Sequence, residues 1–237
     1  CDLSGWVDGI AFFESHGGSG ALELRNTILR APANSKYSSI GLYIHPHLNL
    51  NADTITGLDW NRYVIYVNGT PASTGRHDLK AVSAINCALI QSGSSSQTTL
   101  IRCSESGLPK NGGSFLKGPV TSIGSTWEGA GMIAVLEGVA AERSFINDTI
   151  RPKSTWMALG SKTAGTVTLT GAQVDLAGKA ALLKLTSAST TAVTITSSQI
   201  RSTSSSFPIN AEGGSVRLVG TAAPRNSRAV LPGRLIV

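Results

Sequence analysis

The sequence has few charged and few aromatic residues. Of its 237 residues, 14% are Asp, Glu, Lys or Arg and 5% are Phe, Trp or Tyr, whereas an ordinary soluble domain carries about 25% charged residues. No apolar run approaches the roughly 18 residues that cross a bilayer, so we expect no membrane partner. Hydrophobic residues make up 41% of the chain, which is enough for a core and excludes wholesale disorder.

Cysteine is scarce, and its count of three excludes a complete set of internal disulfides. Cys87 and Cys103 lie 16 residues apart, and they either pair with each other or are two buried thiols in neighbouring strands. No spacing of Cys and His is typical of zinc. His45 and His47 would face the same side of a strand end, but no third ligand lies nearby, so we predict neither a metal nor a cofactor.

What the chain does contain is a repeat of apolar residues, mostly at intervals of 23 to 26 residues. Each repeat has a second apolar stretch downstream of its marker, such as Tyr63–Val67 or Ala181–Leu185, and turns rich in Gly, Ser and Asn separate these stretches. Alternating apolar residues with this punctuation predict short strands rather than helices. The residues that mark the repeats are Leu24, Leu50, Ile85, Ile123, Ile146, Leu169, Ile195 and Leu218.

Short strands at a near-constant interval predict a solenoid rather than a sandwich. In a parallel β-helix, each coil of two or three strands stacks on the previous coil at about 4.8 Å, with Ile, Leu and Val inside and Thr, Ser and Lys outside. We therefore predict an all-β parallel β-helix of about eight or nine coils over residues 1–220. Residues 221–237 would form a C-terminal cap or an oligomer-contact tail.

Two coil motifs read Leu24-Arg-Asn-Thr-Ile28 and Ile146-Asn-Asp-Thr-Ile150. With their relatives over roughly residues 6–220, they resemble the right-handed parallel β-helix (pectin-lyase-like) family, which includes pectate lyases, rhamnogalacturonases and bacteriophage tailspikes. The coils rich in Ser, Thr and Gly and the scarcity of cysteine make the chain most similar to a tailspike or related virion β-helix. The resemblance implies a right-handed, single-stranded solenoid in a virion, in contact with other virion proteins; an extracellular or bacterial cell-surface location is the alternative.

The ends of a solenoid expose unpaired strand edges, which need a cap or a partner. We expect no capping helix before the first coil. Association of solenoids side by side would also cover outward apolar residues. We therefore predict a homotrimer.

The most chemically mixed part of the chain lies between residues 53 and 80. Glycosidases use two carboxylates, about 5 Å apart for retention and about 6.5–9.5 Å apart for inversion, so we take Asp53 and Asp59 as catalytic candidates. In the alternative, Asp53 forms an Asx turn, Asp59 pairs with a nearby Arg and the neighbouring Trp packs beneath the loop. The candidates for substrate binding in this part are Trp60, Arg62, His77 and Asp78.

A second group of carboxylates follows the coil that contains Trp127. We take Glu128 and Glu137 as catalytic candidates, one as acid and the other as nucleophile or base, provided that burial raises one pKa. In the alternative, these are turn carboxylates paired with Arg143 or Lys153. Trp127 holds the position that Ile150 holds in the next coil, and is expected in the core.

Three functions fit these observations. The first is a phage virion spike or fibre component that binds a bacterial surface polysaccharide, with depolymerisation by a glycoside hydrolase or polysaccharide lyase activity left open; the net charge of +6 suits acidic glycans. The second is a non-catalytic structural virion protein of the decoration or tail type. The third is a secreted or surface bacterial β-helix, acting as a polysaccharide lyase or an adhesin. No basic stripe with interleaved aromatics is present, so we predict no nucleic-acid partner.

Overall fold

The structure is a computed structural model, and the part of the chain that it describes is discontinuous. This part comprises residues 2–4, 10–11, 20–32, 40–45, 47–67, 75–93, 95–107, 113–129, 132–133, 140–160, 164–222, 224–229 and 234–236.

All regular secondary structure in these ranges is β-strand. In chain order the strands are β1 (Asp2–Ser4), β2 (Ile10–Ala11), β3 (Ala21–Arg30), β4 (Ile40–Ile44), β5 (Asn49–Leu58), β6 (Tyr63–Val67), β7 (Arg76–Lys80), β8 (Ser83–Ile85), β9 (Ala88–Gln91), β10 (Gln97–Ile101), β11 (Ser104–Ser106), β12 (Val120–Ile123), β13 (Thr126–Gly129), β14 (Met132–Ile133), β15 (Ala140–Ile146), β16 (Thr149–Pro152), β17 (Thr155–Leu159), β18 (Ala164–Thr170), β19 (Gln173–Leu176), β20 (Ala181–Leu185), β21 (Ala192–Thr196), β22 (Gln199–Ser202), β23 (Ile209–Ala211), β24 (Ser215–Val219), β25 (Arg228–Ala229) and β26 (Arg234–Ile236).

The strands form a parallel β-solenoid, which confirms the predicted fold class. One sheet of 17 strands bends at a corner in every turn, so that it forms a first face before the corner and a second face after it. A sheet of four strands and a sheet of five strands form the third face. Seven turns have strands on all three faces within the described ranges, slightly fewer than the predicted eight or nine. In the turn that begins with β10, a single bridge between Gln91 and Phe115 stands in place of a third strand.

The corner between the first and second faces is built from one left-handed residue per turn, with φ between 48° and 65°. Backbone hydrogen bonds from one turn to the next hold these residues in a stack: the N–H of Gly124 donates to the carbonyl of Ile146, and that of Asn147 to the carbonyl of Thr170, both at 2.8 Å. The corner residues are Asn26, Thr54, Ala81, Arg102, Gly124, Asn147, Gly171, Ser197 and Gly220.

The inward side chains of the first face form two rows along the solenoid axis. One row consists of Leu24, Ala52, Leu79, Leu100, Ser122, Phe145, Leu169, Ile195 and Leu218. The other consists of Leu22, Leu50, His77, Thr98, Val120, Arg143, Val167, Val193 and Val216. The markers predicted at Leu169, Ile195 and Leu218 are consecutive members of the first row, as expected. The polar members of both rows lie between His77 and Arg143, in the middle of the solenoid.

Three predicted markers point the wrong way. One of them is Ile85 on the second face, which is 38% exposed. Ile123 and Ile146 face outward, and Ile123 is 37% exposed. The inward positions of these turns belong to the residues just before them, Ser122 and Phe145. A shift of one residue moves a side chain to the opposite face of a strand, so an apolar residue on each side of the sheet made the repeat ambiguous here.

Cys87 and Cys103 are both free and buried, so the alternative of two buried thiols is confirmed. Their sulfurs lie near backbone carbonyls rather than near each other: Cys87 Sγ is 3.4 Å from the carbonyl oxygen of Ile85, and Cys103 Sγ is 3.4 Å from that of Leu79. Burial raises the pKa of Cys87 to about 12 and that of Cys103 to about 11.

Candidate functional site

An open groove of about 390 Å³ lies on the outward side of the first face, across β3, β5, β7 and β10. We call it the charged groove, because three basic and two acidic side chains line it together with Asn and Thr. Its lining consists of Arg25, Asn51, Ala52, Asp53, Arg76, Asp78, Leu79, Lys80, Thr99 and Ile101.

The register of three strands aligns opposite charges in the groove. Asp53 on β5 lies opposite Arg25 on β3 and opposite Lys80 on β7. Neighbouring parallel strands are about 4.8 Å apart, so Arg25 and Lys80 flank Asp53 in a row along the solenoid axis. The Nζ atom of Lys80 is 3.5 Å from Oδ2 of Asp53, and both side chains are about half exposed.

Asp78 lies beside this row and has its own cation. Its Oδ2 accepts a hydrogen bond of 2.8 Å from Nε of Arg76, two residues earlier on the same strand. Because Asp53 lies opposite Lys80, Asp78 lies on the diagonal, with its Cα roughly 8 Å from that of Asp53. The predicted residues Asp53 and Asp78 are therefore brought together.

Asp53 is held in its ionised form. The hydroxyl of Thr54 donates to its Oδ1 at 2.9 Å, and this hydrogen bond, with the nearby charge of Lys80, lowers the pKa of Asp53 despite some desolvation. A general acid for glycoside cleavage needs a raised pKa. The groove therefore offers ion pairing and hydrogen bonding at Asp53 rather than a stored proton.

Two predicted substrate contacts are corrected by their burial. Trp60 is 1% exposed, and its Nε1 donates to the carbonyl of Leu29 at 2.9 Å, so the ring packs in the core beneath its loop. His77 is 0% exposed on an inward position of β7, and its Nε2 is 3.2 Å from the carbonyl oxygen of Leu48. Burial lowers the pKa of His77 to about 4, so its ring is neutral at pH 7. Neither ring can stack on or bind a surface ligand.

Asp59 and Arg62 are exposed but lie away from the groove. Asp59 follows the second-face part of β5, around the corner from Asp53, and accepts a hydrogen bond of 2.9 Å from Nδ2 of Asn86. The structure thus pairs Asp59 with an amide of the next turn rather than with Arg62. The predicted dyad of Asp53 and Asp59 is not assembled.

Glu128 lies on the second face and belongs to a surface ion-pair row. Its Oε1 is 2.8 Å from Nη1 of Arg151, whose Nε is 3.4 Å from Oδ2 of Asp175 on the following turn. The sequence predicted Arg143 or Lys153 as the partner of Glu128 instead of Arg151, because the register between turns was not known. The proposed companion Glu137 lies outside the described residues.

Sequence reasoning missed the buried polar groups of the middle turns. Asp148, next to the corner, accepts hydrogen bonds from the Ser122 hydroxyl at 2.6 Å, the Ser125 N–H at 2.8 Å and Trp127 Nε1 at 2.9 Å. Burial raises the pKa of Asp148, although these donors oppose the shift. The available signal in the sequence was the position of Asp148 directly after the corner residue Asn147, because its side chain points inward there. Trp127 is 3% exposed, which confirms its prediction as a core residue.

Glu105 and Arg143 are further buried charges that the sequence did not reveal. Glu105 Oε2 accepts hydrogen bonds from the Leu89 N–H at 2.9 Å and the Ser114 hydroxyl at 2.5 Å, and burial raises its pKa to about 7. Arg143 donates to three backbone carbonyls, the shortest bond being 2.9 Å to Lys117, and burial lowers its pKa to about 10. Both face inward, so they support the fold and are not reached from the groove.

No cluster of three or more His, Cys, Asp or Glu that could hold a metal ion occurs within the described ranges. His45 and His47 stack on each other with ring centroids 5.7 Å apart. None of the described residues belongs to a helix long and apolar enough to span a membrane.

Fold and groove together define a parallel β-solenoid with a charged groove on one face. No protein-family model, no curated protein and no solved structure matches the chain.

Proposed function

We propose that the protein binds an acidic bacterial surface polysaccharide in the charged groove, as the β-helical part of a phage virion spike. The observation that carries the binding proposal is the outward placement of three cations in one open groove, Arg25 on β3 and Arg76 and Lys80 on β7. Each cation is paired with a carboxylate, but exposed ion pairs contribute only about 0–1 kcal/mol. The pairs are Arg25 with Glu23, Arg76 with Asp78 and Lys80 with Asp53. An anionic ligand can therefore replace these carboxylates at small cost.

The lining of the groove favours a polysaccharide over other polyanions. Among the described residues, no aromatic side chain lines it, and aromatic side chains are what the bases of single-stranded nucleic acid stack on. Asn51, Thr99 and the two carboxylates offer donors and acceptors for sugar hydroxyls. A groove that is open across several turns also suits a chain polymer better than a small ligand.

Binding without cleavage fits the groove better than catalysis does. Asp53 has a lowered pKa and is engaged by Thr54 and Lys80, so it is poorly suited to give a proton to a leaving group. Hydrolase or lyase activity remains the alternative, and the binding experiment below measures it directly.

The first experiment compares alginate, a polyuronate, with neutral dextran at low and high salt. We expect binding of alginate only, weakened by salt because exposed charges are screened. Lys80→Gln should weaken it about two- to fivefold, the amount that an exposed ion pair contributes. The matched control Lys184→Gln removes the same charge from an exposed position on β20 and should change nothing. Equal binding of dextran, or no effect of Lys80→Gln, would contradict the proposal.

Release of product from the bound polymer tests the catalytic alternative. We expect neither new reducing ends nor the ultraviolet absorbance of unsaturated uronate on long incubation. Appearance of either would replace binding by hydrolysis or lyase chemistry.

The virion part of the proposal rests on the resemblance of the coil motifs and is tested separately. Light scattering on the native protein at micromolar concentration should give the mass of a stable trimer. A clean monomer would favour the secreted bacterial β-helix instead.

A further inference from the structure

Two outward rows of the first face continue beyond the charged groove and carry no charge for five turns. We call them together the charge-free strip. The first row consists of Thr99, Thr121, Ser144, Thr168 and Thr194. The second row consists of Ile101, Ile123, Ile146, Thr170 and Thr196.

The strip begins where the charged groove ends. Thr99 and Ile101 line the groove, and they lie directly opposite Asp78 and Lys80 of the preceding turn. Four strand spacings of about 4.8 Å make the strip roughly 19 Å long along the solenoid axis. A polymer that follows the axis out of the groove therefore crosses it.

The two rows differ in chemistry. Ile123 is 37% exposed and lies in its row between the partly buried Ile101 and Ile146. The neighbouring row presents hydroxyl groups, and Oγ1 of Thr168 donates to Oγ of Ser144 at 3.0 Å. The strip thus offers a line of methyl groups beside a line of hydroxyls.

The geometry points to a subsite for methyl-bearing sugars, O- or N-acetylated or 6-deoxy, of the same polysaccharide whose acidic units bind the charged groove. This inference rests on the proposed function and adds a substrate class to it. The methyl groups would cover the isoleucines, because removing apolar surface from water is favourable. Ring hydroxyls would bind the Thr and Ser hydroxyls of the adjacent row.

The size of the strip favours a sugar chain over a second copy of the protein. From strand spacing and residue rise, the two rows cover roughly 200–300 Å². Each partner in a stable protein complex buries about 800 Å². A single sugar chain needs far less surface.

The test compares three acidic probes by binding affinity: alginate, the same alginate after chemical O-acetylation, and deacylated gellan, which contains a 6-deoxy sugar. The wild-type protein should bind an acetylated or 6-deoxy probe about fourfold tighter for each methyl group buried. The two probes separate the two sources of the methyl group.

The variant Ile123→Thr removes the most exposed isoleucine of the strip. Threonine already occurs in the same row, at Thr170. The variant should remove most of the preference for the methyl-bearing probes and leave alginate binding unchanged. The control Ile85→Thr makes the same change at a residue of equal exposure, 38%, on the second face and should preserve the preference.

Wild-type binding that is equal for all three probes would overturn the inference while leaving the proposed function intact. A protein that binds none of them would overturn both. A change of native mass in Ile123→Thr, without a change of preference, would show that the strip is a contact between copies of the chain and would also overturn the inference.

Discussion

The carboxyl group of Glu105 accepts a hydrogen bond from the hydroxyl of Ser114, at 2.5 Å, inside the solenoid. The same Ser114 oxygen accepts the N–H of Ile90 at 3.0 Å, and the same carboxyl oxygen accepts the N–H of Leu89 at 2.9 Å. Two side chains therefore satisfy two consecutive backbone donors of β9. They do so beside the bridge between Gln91 and Phe115, which is the one third-face pairing of these two turns within the described ranges.

Burial of Glu105 should make the free energy of unfolding depend on pH. Its pKa is raised from 4.5 to about 7 in the folded protein, so the folded state binds the proton more tightly than the unfolded state. The stability linked to this group is therefore present at low pH and is lost as pH rises from about 4.5 through 7. In urea unfolding, Glu105→Gln should reduce this dependence on pH. Above pH 7 its free energy of unfolding should exceed that of the wild type by up to about 3 kcal/mol.

The control for this titration is Glu142→Gln, which changes an exposed carboxylate on β15 and should leave the pH profile as it is. Identical pH profiles for the wild type and Glu105→Gln would contradict the assignment.

Asp148→Asn should destabilise the fold because it puts a donor where only acceptors fit. Three donors converge on this carboxylate, those of Ser122, Ser125 and Trp127. An amide leaves at least one of them unpaired in the core, at a cost of about 1–3 kcal/mol. The urea midpoint measures the loss, and Asp175→Asn on the exposed second face serves as the reference. A loss no larger than that of the reference would show that the three donors are satisfied in another way.

Gly129→Ala should be among the most damaging small substitutions in the chain. Gly129 has a φ of 124°, and a Cβ there would lie 1.8 Å from the carbonyl oxygen of Gly107 on the previous turn. Since backbone cannot move aside without shifting a whole turn, we expect a loss above about 3 kcal/mol or a failure to fold. Gly178→Ala meets no atom within 4 Å at a φ of 64° and should cost only about 1–2 kcal/mol. Similar urea midpoints for the two variants would refute this account.

Cys87 and Cys103 should resist thiol reagents while the protein is folded. Burial holds their pKa values at about 12 and 11, so at pH 8 only about a thousandth or less of either thiol is thiolate. With Cys1→Ser as the background, an aromatic disulfide reagent should release no colour over the time in which the urea-unfolded chain reacts with two equivalents. Rapid reaction of the folded protein would show that one of the two sites is open.

The sequence was sufficient to predict the solenoid because the repeat is carried by many turns. Leu169, Ile195 and Leu218 recur at inward positions, and an error in one turn does not alter the period. The register of individual turns was harder. Ile123 and Ile146 are as apolar as Phe145, and only the pairing of β12 with β15 shows which side of the sheet each one takes.

The candidate site was predicted only in part, because the register of individual turns also decides which side chains meet there. Asp53 and Asp78 were identified as carboxylates in a mixed stretch, but their cations Lys80 and Arg76 were not. The ion pair of Asp53 with Lys80 crosses turns and so depends on the register between β5 and β7. His77, adjacent to Asp78, was assigned to the surface although alternation along β7 turns it inward. Residue type alone does not distinguish these neighbours.

The single bridge between Gln91 and Phe115 has a mechanical consequence. Under a stretching force along its axis, the solenoid transmits the force through the hydrogen bonds between successive turns. On the first face, β7 and β10 share a register of five residue pairs, whereas the third face has one bridge between the same two turns in the part of the chain that the structure describes. In force spectroscopy these two turns should therefore separate at a lower force than the turns of β4 and β6, whose strands on the third face share four residue pairs.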